Sequence, residues 1–496
     1  MSSKDTRLSR REMLRVAGAA IVGTVVASCG AAPTATPAPT PTARVVEVTK
    51  VVEKPVTQVV EKPVTQVVEK VVTATPLPKP TASKKILTFW SMWSTQPLNQ
   101  QFVNTVVADY MKAHPDVTIQ VPYWEKSALE AALKAALTAG EGAPDIAGDV
   151  GSQIFGPAGW LLDLSGALPA AAFKPGILEA ITLTQPKGIF SYPIGIQLLY
   201  LFYNPRIFDE AGIKVPNSNQ FTQDEFVDVI KKVAARGYSG FANAVGDRNY
   251  PAIYPIWAAL VQLVGIEEEA RYDGGLTSWN TPVARQVLTW MNQLRDAGAW
   301  PKSFATMGID AFHTYFHTQQ KAAMIYIGSF YPARAFKPVS EGGQSPDFHF
   351  GALIPPLMNG AKYPKNLWSN FDSGFMGIKS TKYPDVVRDF FAFMSQPKYG
   401  ALWSALTTQP STLKYDVAKD WPTNVKDSDQ WKWYWELITK VYGDCPAPLK
   451  PNLASENAEC AGFVDVRTAV LNSGLPQNLI TIDEAIKKLD AALCKK

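Results

Sequence analysis

The stretch GIFSYPIGIQLLYLFYNPRIFDEAGI, residues 188–213, decides the fold of this chain. From Tyr192 to Tyr203 the side chains are almost all β-branched, aromatic or leucine, which is typical of a strand buried on both faces. Glycines and prolines interrupt this run, so it predicts a crossover from one compact unit into another. Gln197 is its polar side chain. Because burying an amide without a partner costs free energy, Gln197 is predicted to face a cleft.

An export signal and a lipid anchor are predicted at the N-terminus. The pair Arg10-Arg11 precedes a run of Gly, Ala and Val that is too short to span a bilayer, which is typical of twin-arginine signals. Val26-Ala27-Ser28-Cys29 follows and resembles the lipobox of bacterial lipoproteins, in which the cysteine is acylated. We interpret residues 1–28 as a signal peptide and Cys29 as a lipidated anchor on the extracytoplasmic face of the cell membrane. A basic N-terminus with an incidental cysteine is the alternative.

Residues 29–84 are predicted to form a tether. Ala/Pro/Thr low complexity gives way to the octapeptide VVEKPVTQ, which occurs at 51–58 and again at 59–66. Recurring proline excludes a continuous helix, and a strand without neighbours is not stable alone. We therefore expect an extended, partly polyproline-like spacer. The alternative is that the Val/Thr repeats pair into a small β structure or a β-rich stalk.

Composition limits the class of protein. The chain has 496 residues, of which 46% are hydrophobic, and a formal net charge of +4. Residues 85–496 are long enough to fold as two lobes. No basic stripe is present in the sequence, so nucleic acid is not expected as a partner. We expect a monomer without a cofactor or a metal.

Three cysteines remain once Cys29 is acylated, and they are Cys445, Cys460 and Cys494. They allow one disulfide and one free thiol, in three pairings. Cys445 and Cys460 flank a loop rich in proline and asparagine, so their pairing is the favoured one.

Alternating strand and helix patterns open the folded part of the chain. A strand pattern from Lys85 is followed by a helix pattern from Leu98 to His114, a second strand, a second helix and a third strand. This order is typical of an open α/β sheet, in which ligands bind beyond the carboxyl ends of the strands. The rule predicts that six residues lie together: Ser94, Thr95, Trp124, Asp149, Ser152 and Gln153.

Five segments, in order along the chain, resemble the extracellular solute-binding proteins of ABC importers, in the subfamily of the maltose- and glycerol-phosphate-binding proteins. They are AGEGAPDI at 139–146, GWLLDLS at 159–165, YPIGIQLLYLFYN at 192–204, KAAMIYIGSF at 321–330 and RTAVLNSG at 467–474. The resemblance implies a two-lobed, periplasmic-binding-protein-like α/β fold of type II. Three hinge crossovers would join its open sheets, which close over a small ligand. The expected boundaries are 85–194 plus 345–396 for lobe 1, and 195–344 plus 397–496 for lobe 2.

The resemblance also implies which side chains contact the ligand. Ser94 and Thr95 stand where maltose binders carry an acid and a base, and Gln197 stands where a glutamate is expected. Asp149, Ser152 and Gln153 stand where relatives carry an aromatic and two charged groups. These departures put maltose itself in doubt, although neutral glycans still fit. The further contacts expected are Trp124, Tyr254, Trp257, Phe330, Asp372, Phe463 and Arg467. Core positions are the alternative for the aromatic residues, and structural ion pairs for Asp149 and Arg467.

The function implied is capture of a carbohydrate, either an oligosaccharide or a polyol, for delivery to two permease subunits of an ABC importer. An anchored glycan-processing enzyme and the ligand-binding lobe of a signalling system are the alternatives. His313 and His317 have the spacing of metal ligands, but HTYFH lacks the glutamate of the zinc protease motif. The sequence contains no G-x-S-x-G elbow, phosphate loop or paired CxxC, while any exposed pair of carboxylates could serve a glycosidase. The five family-like segments account for the chain without an enzyme, so we do not expect one.

Overall fold

The computed structural model describes residues 84–148, 150–184, 186–247, 252–423, 429–451 and 461–494, with the backbone alone at 153, 154, 184, 372, 373, 429 and 461. The predicted signal peptide, Cys29 and the tether up to residue 83 lie outside the described residues. The strands are β1 (Lys85–Trp90), β2 (Val117–Gln120), β3 (Ile146–Gly148), β4 (Leu183–Thr184), β5 (Lys187–Gly188), β6 (Tyr192–Tyr203), β7 (Ser239–Phe241), β8 (Ala322–Gly328), β9 (Gly351–Leu353) and β10 (Ser369–Gly377).

The helices alternate with these strands. They are α1 (Pro97–Ala113), α2 (Lys126–Ala139), α3 (Ser152–Phe155), α4 (Ile177–Ile181), α5 (Pro205–Glu210), α6 (Gln223–Ala235), α7 (Tyr254–Val264), α8 (Ile266–Asp273), α9 (Pro282–Asp296), α10 (Ile309–His317), α11 (Tyr331–Ala335), α12 (Pro384–Met394), α13 (Pro397–Thr407), α14 (Val417–Asp420), α15 (Asp429–Tyr442), α16 (Ala461–Arg467) and α17 (Ile482–Ala491). Short 3-10 turns cover Ala170–Ala172 and Val339–Glu341, and a π-helical segment covers Thr468–Gly474.

Strand β6 runs from one hydrophobic core into another. Its first half pairs antiparallel with β10, from Tyr192 to Leu198, and its second half pairs antiparallel with β8 and β9. Tyr192 belongs to the first core, whereas Leu199 belongs to the second. The predicted crossover is therefore a single continuous strand whose partners change at its middle.

The first core surrounds β1, β3, β10 and the first half of β6. Strand β1 pairs in parallel with β2 and β3, and β10 closes onto β3 in the antiparallel sense. Phe102 of α1 and Phe390 of α12 pack on one face of this sheet, and Leu133 of α2 packs on the other. These apolar positions recur at helical spacing, so each helix buries one stripe of side chains.

The second core surrounds β7, β8, β9 and the second half of β6. Strand β8 is buried along its whole length, and β7 pairs with it in parallel. Helix α6 buries Phe226 and Ile230 on this sheet, and its start is fixed by a capping box between Thr222 and Glu225. The fold is the two-lobed α/β arrangement that the sequence resemblance implies.

The chain passes between the two cores three times within the described residues, at 194–199, at 368–375 and between 413 and 434. Two boundaries differ from the predicted ones. Residues 348–368 pack in the second core, because β9 pairs with the second half of β6. Helix α13 packs in the first core, where the Trp403 and Phe102 rings lie 5.2 Å apart. In the packing of the cores both transitions thus lie later in the chain than the expected positions 345 and 397.

The predicted bridge between Cys445 and Cys460 is also wrong. Cys445 is a free thiol, and Cys494 is disulfide-bonded. Cys445 follows α15 closely, and its Sγ lies 3.8 Å from the carbonyl oxygen of Val441. Burial against the second core raises the pKa of the Cys445 thiol. Cys460 lies outside the described residues.

Candidate ligand-binding site

The middle of β6 is partly exposed at the point where the strand changes partners. Ile196, Gln197 and Leu198 are partly exposed, whereas the residues on either side of them are buried. Gln197 pairs with Asn370 of β10, and Leu199 pairs with Gly328 of β8. The opening therefore lies at the boundary between the cores, where one small molecule can contact both.

An aromatic ring and an amide lie over the end of β8. A Cβ atom added to Gly328 would lie 2.5 Å from the ring of Phe330 and 2.6 Å from Nε2 of Gln197, so only glycine leaves room for both side chains. Phe330 is half-buried immediately before α11, and the guanidinium of Arg334 lies 5.3 Å from its ring centre. The structure thus brings the predicted site residues Gln197 and Phe330 together.

A recess lies between α1 on one side and α10 and α11 on the other. Its lining includes Thr95, Pro97 and Asn99 from the first core and Asp310, Arg334 and Lys337 from the second. Its free volume is about 10 Å³, which is room for about one water molecule, so a larger group fits there only when the two cores lie further apart. Because Arg334 contacts both the recess and Phe330, we treat Gln197, Phe330 and the recess as one feature, the cleft site.

Two indole rings lie beside the cleft site on the first core. Trp124 and Trp90 are half-buried, with ring centres 4.9 Å apart. The backbone N–H of Ser94 donates to the carbonyl oxygen of Trp124 at 3.1 Å. Nε1 of Trp124 is buried without a hydrogen-bond partner among the described residues. Ser94, Thr95 and Trp124 therefore lie together just beyond the carboxyl end of β1.

Trp257 and Arg467 lie in a different environment, a cluster of buried charges within the second core. Trp257 stacks on Trp368 with ring centres 4.6 Å apart, and its indole N–H donates to Oδ1 of Asp273 at 2.8 Å. Nη1 of Arg467 lies 2.5 Å from the same Oδ1 and donates to the backbone carbonyl of Asp273 at 2.6 Å. Both predicted site residues are thus engaged with Asp273.

Lys450 joins this cluster to a second carboxylate. Its Nζ lies 3.1 Å from Oε1 of Glu269 and 2.8 Å from Oδ2 of Asp273, and 5.2 Å from the ring centre of Trp257. We call Trp257, Glu269, Asp273, Trp368, Lys450 and Arg467 the charge network. Two carboxylates face two cations in it, which is the composition of a structural ion-pair cluster.

Burial acts differently on the two carboxylates of the charge network. Burial raises the pKa of Glu269 to about 7, although Lys450 opposes the shift. Burial also acts to raise the pKa of Asp273, but Arg467 and Lys450 outweigh it and hold that pKa below its ordinary value. Asp273 is therefore the firmly ionised centre of the network.

The other predicted site residues are either buried in a core or lie outside the described residues. Tyr254 and Phe463 are each 1% exposed and lie in the second core of this structure, and the ligand contact predicted for them stays a prediction. Phe463 instead fills the space above Gly275, where an added Cβ would lie 2.5 Å from its ring. Ser152 is buried in α3. Asp149 and the side chains of Gln153 and Asp372 lie outside the described residues, and the backbone of Asp372 pairs with that of Gly195 in β6.

A comparison with protein-family models identifies the family of this chain. Residues 94–401 match the model of the bacterial extracellular solute-binding proteins. The chain belongs to this family. A search of curated proteins finds no match.

Solved structures share the fold of this solute-binding protein at low sequence identity. A protein from a study of xylan utilization by Caldanaerobius polysaccharolyticus has a TM-score of 0.67 at 21% identity, over 82% of this chain and 99% of that one. A chitin oligosaccharide binding protein has a TM-score of 0.66 at 18% identity, over 83% of this chain and 98% of that one. The GacH receptor of Streptomyces glaucescens has a TM-score of 0.62 at 18% identity, over 82% of this chain and 97% of that one.

The histidine pair of α10 is part of the packing of this solute-binding protein. Nδ1 of His317 lies 2.9 Å from the Tyr331 hydroxyl and Nε2 lies 2.9 Å from the carbonyl oxygen of Gly342. Burial lowers the pKa of His317 to about 4 and lowers the pKa of His313 well below its ordinary value. Among the described residues there is no cluster of three metal-ligating side chains. The described helices include none with the length and apolar character to cross a membrane.

Sequence reasoning missed Arg334, Lys337, Trp368 and Lys450. One signal for Arg334 was available, because it follows Phe330 by four residues at the start of a helix, and such pairs lie on one helical face. No local signal marks Lys450, which meets Asp273 across a separation of 177 residues. Only the tertiary fold brings these two residues together.

Proposed function

We propose that this solute-binding protein is the substrate receptor of an ABC importer and that it captures a carbohydrate, either an oligosaccharide or a polyol. The observation that carries the proposal is the partly exposed middle of β6, where Gln197 and Phe330 meet at the boundary between the cores. A sugar presents apolar C–H faces and a ring of hydroxyls, which match an aromatic plate and a planar amide. Structural relatives include a chitin oligosaccharide binding protein and a receptor studied in complex with acarbose, which supports this class of ligand.

Hinge closure is the mechanism that we assign to capture. Elements of both cores line the recess, so a ligand held there contacts both when they approach each other. Its binding free energy then favours the closed arrangement over the open one. The residues that pivot are those of β6 between the two pairings, because Leu198 still bonds to β10 and Leu199 already bonds to β8. The closed form is the one that docks on two permease subunits.

Anchoring at the membrane follows in this proposal from the N-terminal segment. Acyl chains on Cys29 bury methylenes at about 0.8 kcal/mol each, which holds a protein on a bilayer without a spanning helix. Residues 29–84, extended at about 3.1 Å each, would reach roughly 170 Å and leave the cores free to meet the permease. Cys29→Ala should release the protein into the soluble fraction of the producing cells. Continued membrane association of that variant would exclude the anchor.

Calorimetry of the purified protein against a panel of oligosaccharides and polyols tests the capture step. We expect saturable binding of at least one sugar, with the same sugar recovered unchanged by chromatography after long incubation. A sugar that is cleaved would instead identify an enzyme. If no member of the panel binds, carbohydrate is the wrong class of cargo.

A further inference from the structure

The recess of the cleft site has an excess of hydrogen-bond donors. Helix α1, which is 17 residues long, begins there, and no side chain caps its N-terminus. The first backbone N–H groups of a helix have no partner inside it and carry the positive end of the helix dipole. Pro97 removes one of these donors, so Leu98 and Asn99 supply the free N–H groups of the first turn.

A second observation points to a ligand at this place. The side chain of Asn99 lines the recess, and this residue is only 8% exposed. Its amide makes no hydrogen bond to any other residue that the structure describes. The amide of Asn99 is not among the fully buried side-chain groups of the described residues, so it reaches the solvent of the recess and is available to a water, an ion or a ligand. Asn99 therefore marks the recess as a place where a polar group binds.

Two cations face Asn99 from the second core. Nη1 of Arg334 lies 3.1 Å from Oδ1 of Asp310, but its Nε is buried without a partner among the described residues. The half-buried Lys337 forms no ion pair within the described chain. Both cations also act on His313 in α10. Burial is the largest cause that lowers the pKa of His313, and the positive charges of Arg334 and Lys337 lower it further. One carboxylate thus faces two cations and a helix N-terminus.

We propose that the recess binds an anionic group of the cargo, either a carboxylate or a phosphate ester, so that the substrate class is acidic sugars. The inference rests on the proposed function and goes beyond it. A hydroxyl both donates and accepts, whereas a carboxylate or phosphate only accepts. The donors of Asn99, Arg334, Lys337 and the first turn of α1 need acceptors, and Asp310 is the anion among the residues that line the recess. Gln197 and Phe330 would then hold the neutral part of the same molecule.

Matched pairs of sugars test the charge of the cargo. One pair is trigalacturonate and its methyl ester, and the other is maltotriose with and without a terminal phosphate. Affinities are measured by calorimetry for the unmodified protein, for Lys337→Gln and for Lys302→Gln, which changes an exposed lysine away from the recess. We expect the acidic member of at least one pair to bind about tenfold more tightly, as expected for a charge-assisted hydrogen bond. The preference should fall below about threefold in Lys337→Gln and persist in Lys302→Gln.

Each outcome of this experiment decides something. A preference in the first pair identifies a carboxylate, and a preference in the second identifies a phosphate ester. Equal affinity of the acidic and neutral members overturns the anion site but leaves carbohydrate capture standing. A preference that survives Lys337→Gln places the anion elsewhere and also overturns the inference. If neither member of either pair binds and the wider sugar panel also fails, both the inference and the proposed function are wrong.

Discussion

The charge network and the cleft site both combine aromatic rings with cations, but they differ in their balance of charge. In the charge network, Glu269 and Asp273 each meet a cation at contact distance, and the ions are nearly buried. In the cleft site, Asp310 is the carboxylate among the residues that line the recess and pairs with Arg334, while Lys337 and an uncapped helix N-terminus line the same recess. The first arrangement balances two carboxylates with two cations, although Oε2 of Glu269 and Nε of Arg467 lack hydrogen-bond partners among the described residues, whereas the second has one carboxylate for two cations. Aromatic and basic residues therefore indicate a binding site only where their charges remain unbalanced.

The largest effect should come from breaking the charge network. Lys450→Met removes the cation that lies between the two carboxylates, which then repel each other in a buried site. Removing one partner of a buried ion pair costs about 3 to 5 kcal/mol. We expect this loss in the free energy of unfolding measured with urea. Lys302→Met, at an exposed position, is the control, and a loss for Lys450→Met as small as that of the control would show that the network contributes nothing to stability.

The free energy of unfolding should depend on pH through Glu269, which belongs to the charge network and not to the cleft site. The pKa of Glu269 rises from 4.5 in the unfolded chain to about 7 in the fold. Between these two values the folded state holds more protons than the unfolded state, so the free energy of unfolding falls as pH rises from 4.5 to 7. The decrease can reach about 3 kcal/mol. Glu269→Gln should flatten this part of a stability profile measured by denaturation at each pH, and an unchanged slope in Glu269→Gln would assign it to another group.

Phe330→Ala and Trp257→Ala form a matched pair of aromatic truncations. Phe330 is half-buried in the cleft site, so its loss should weaken sugar binding by about 1 to 3 kcal/mol and cost less stability than the loss of Trp257. Trp257 is 8% exposed and stacked on Trp368, so its truncation should cost about 3 to 5 kcal/mol of stability. Calorimetry and urea denaturation of both variants measure the contrast. Equal stability losses would place Phe330 in the core.

The smallest effect on ligand binding should come from truncating the side-chain amide of Gln197. Gln197→Ala should weaken ligand binding by about 1 kcal/mol with little change in stability, as expected for one neutral hydrogen bond. Gln262→Ala is the control, because the amide of Gln262 is buried and donates to the carbonyls of Pro355 and Pro356. That variant should lose stability and keep its ligand affinity. Loss of stability in Gln197→Ala would show that this amide holds the strand rather than the ligand.

Local patterns in the sequence predicted much of the fold, because apolar spacing and punctuation are local signals. Helix α1 covers Pro97–Ala113, within one residue at each end of the helix pattern that the sequence predicts from Leu98 to His114. The run of apolar residues at 192–203 is β6. The boundaries between the cores were harder to predict, because β9 has three residues and nothing in its sequence specifies which half of β6 it joins.

The site was predictable only in part, because burial is a tertiary property. Gln197 was found as the polar residue of an apolar strand, and its partly exposed position agrees with that reasoning. Tyr254 and Phe463 were chosen for their place relative to family motifs, and the fold covers both. The same limit applies to the favoured disulfide, since nearness in sequence did not bring Cys445 into a bridge.

The continuity of β6 has a consequence for how the protein unfolds. Its twelve residues supply hydrogen-bonding partners to both sheets, and neither core is one continuous stretch of chain: the first combines residues before the middle of β6 with residues 375–413, which interrupt the second. Neither core is therefore a polypeptide that can be excised and refolded alone. Loss of one sheet removes partners from the other, so heat or denaturant should melt both in a single cooperative transition.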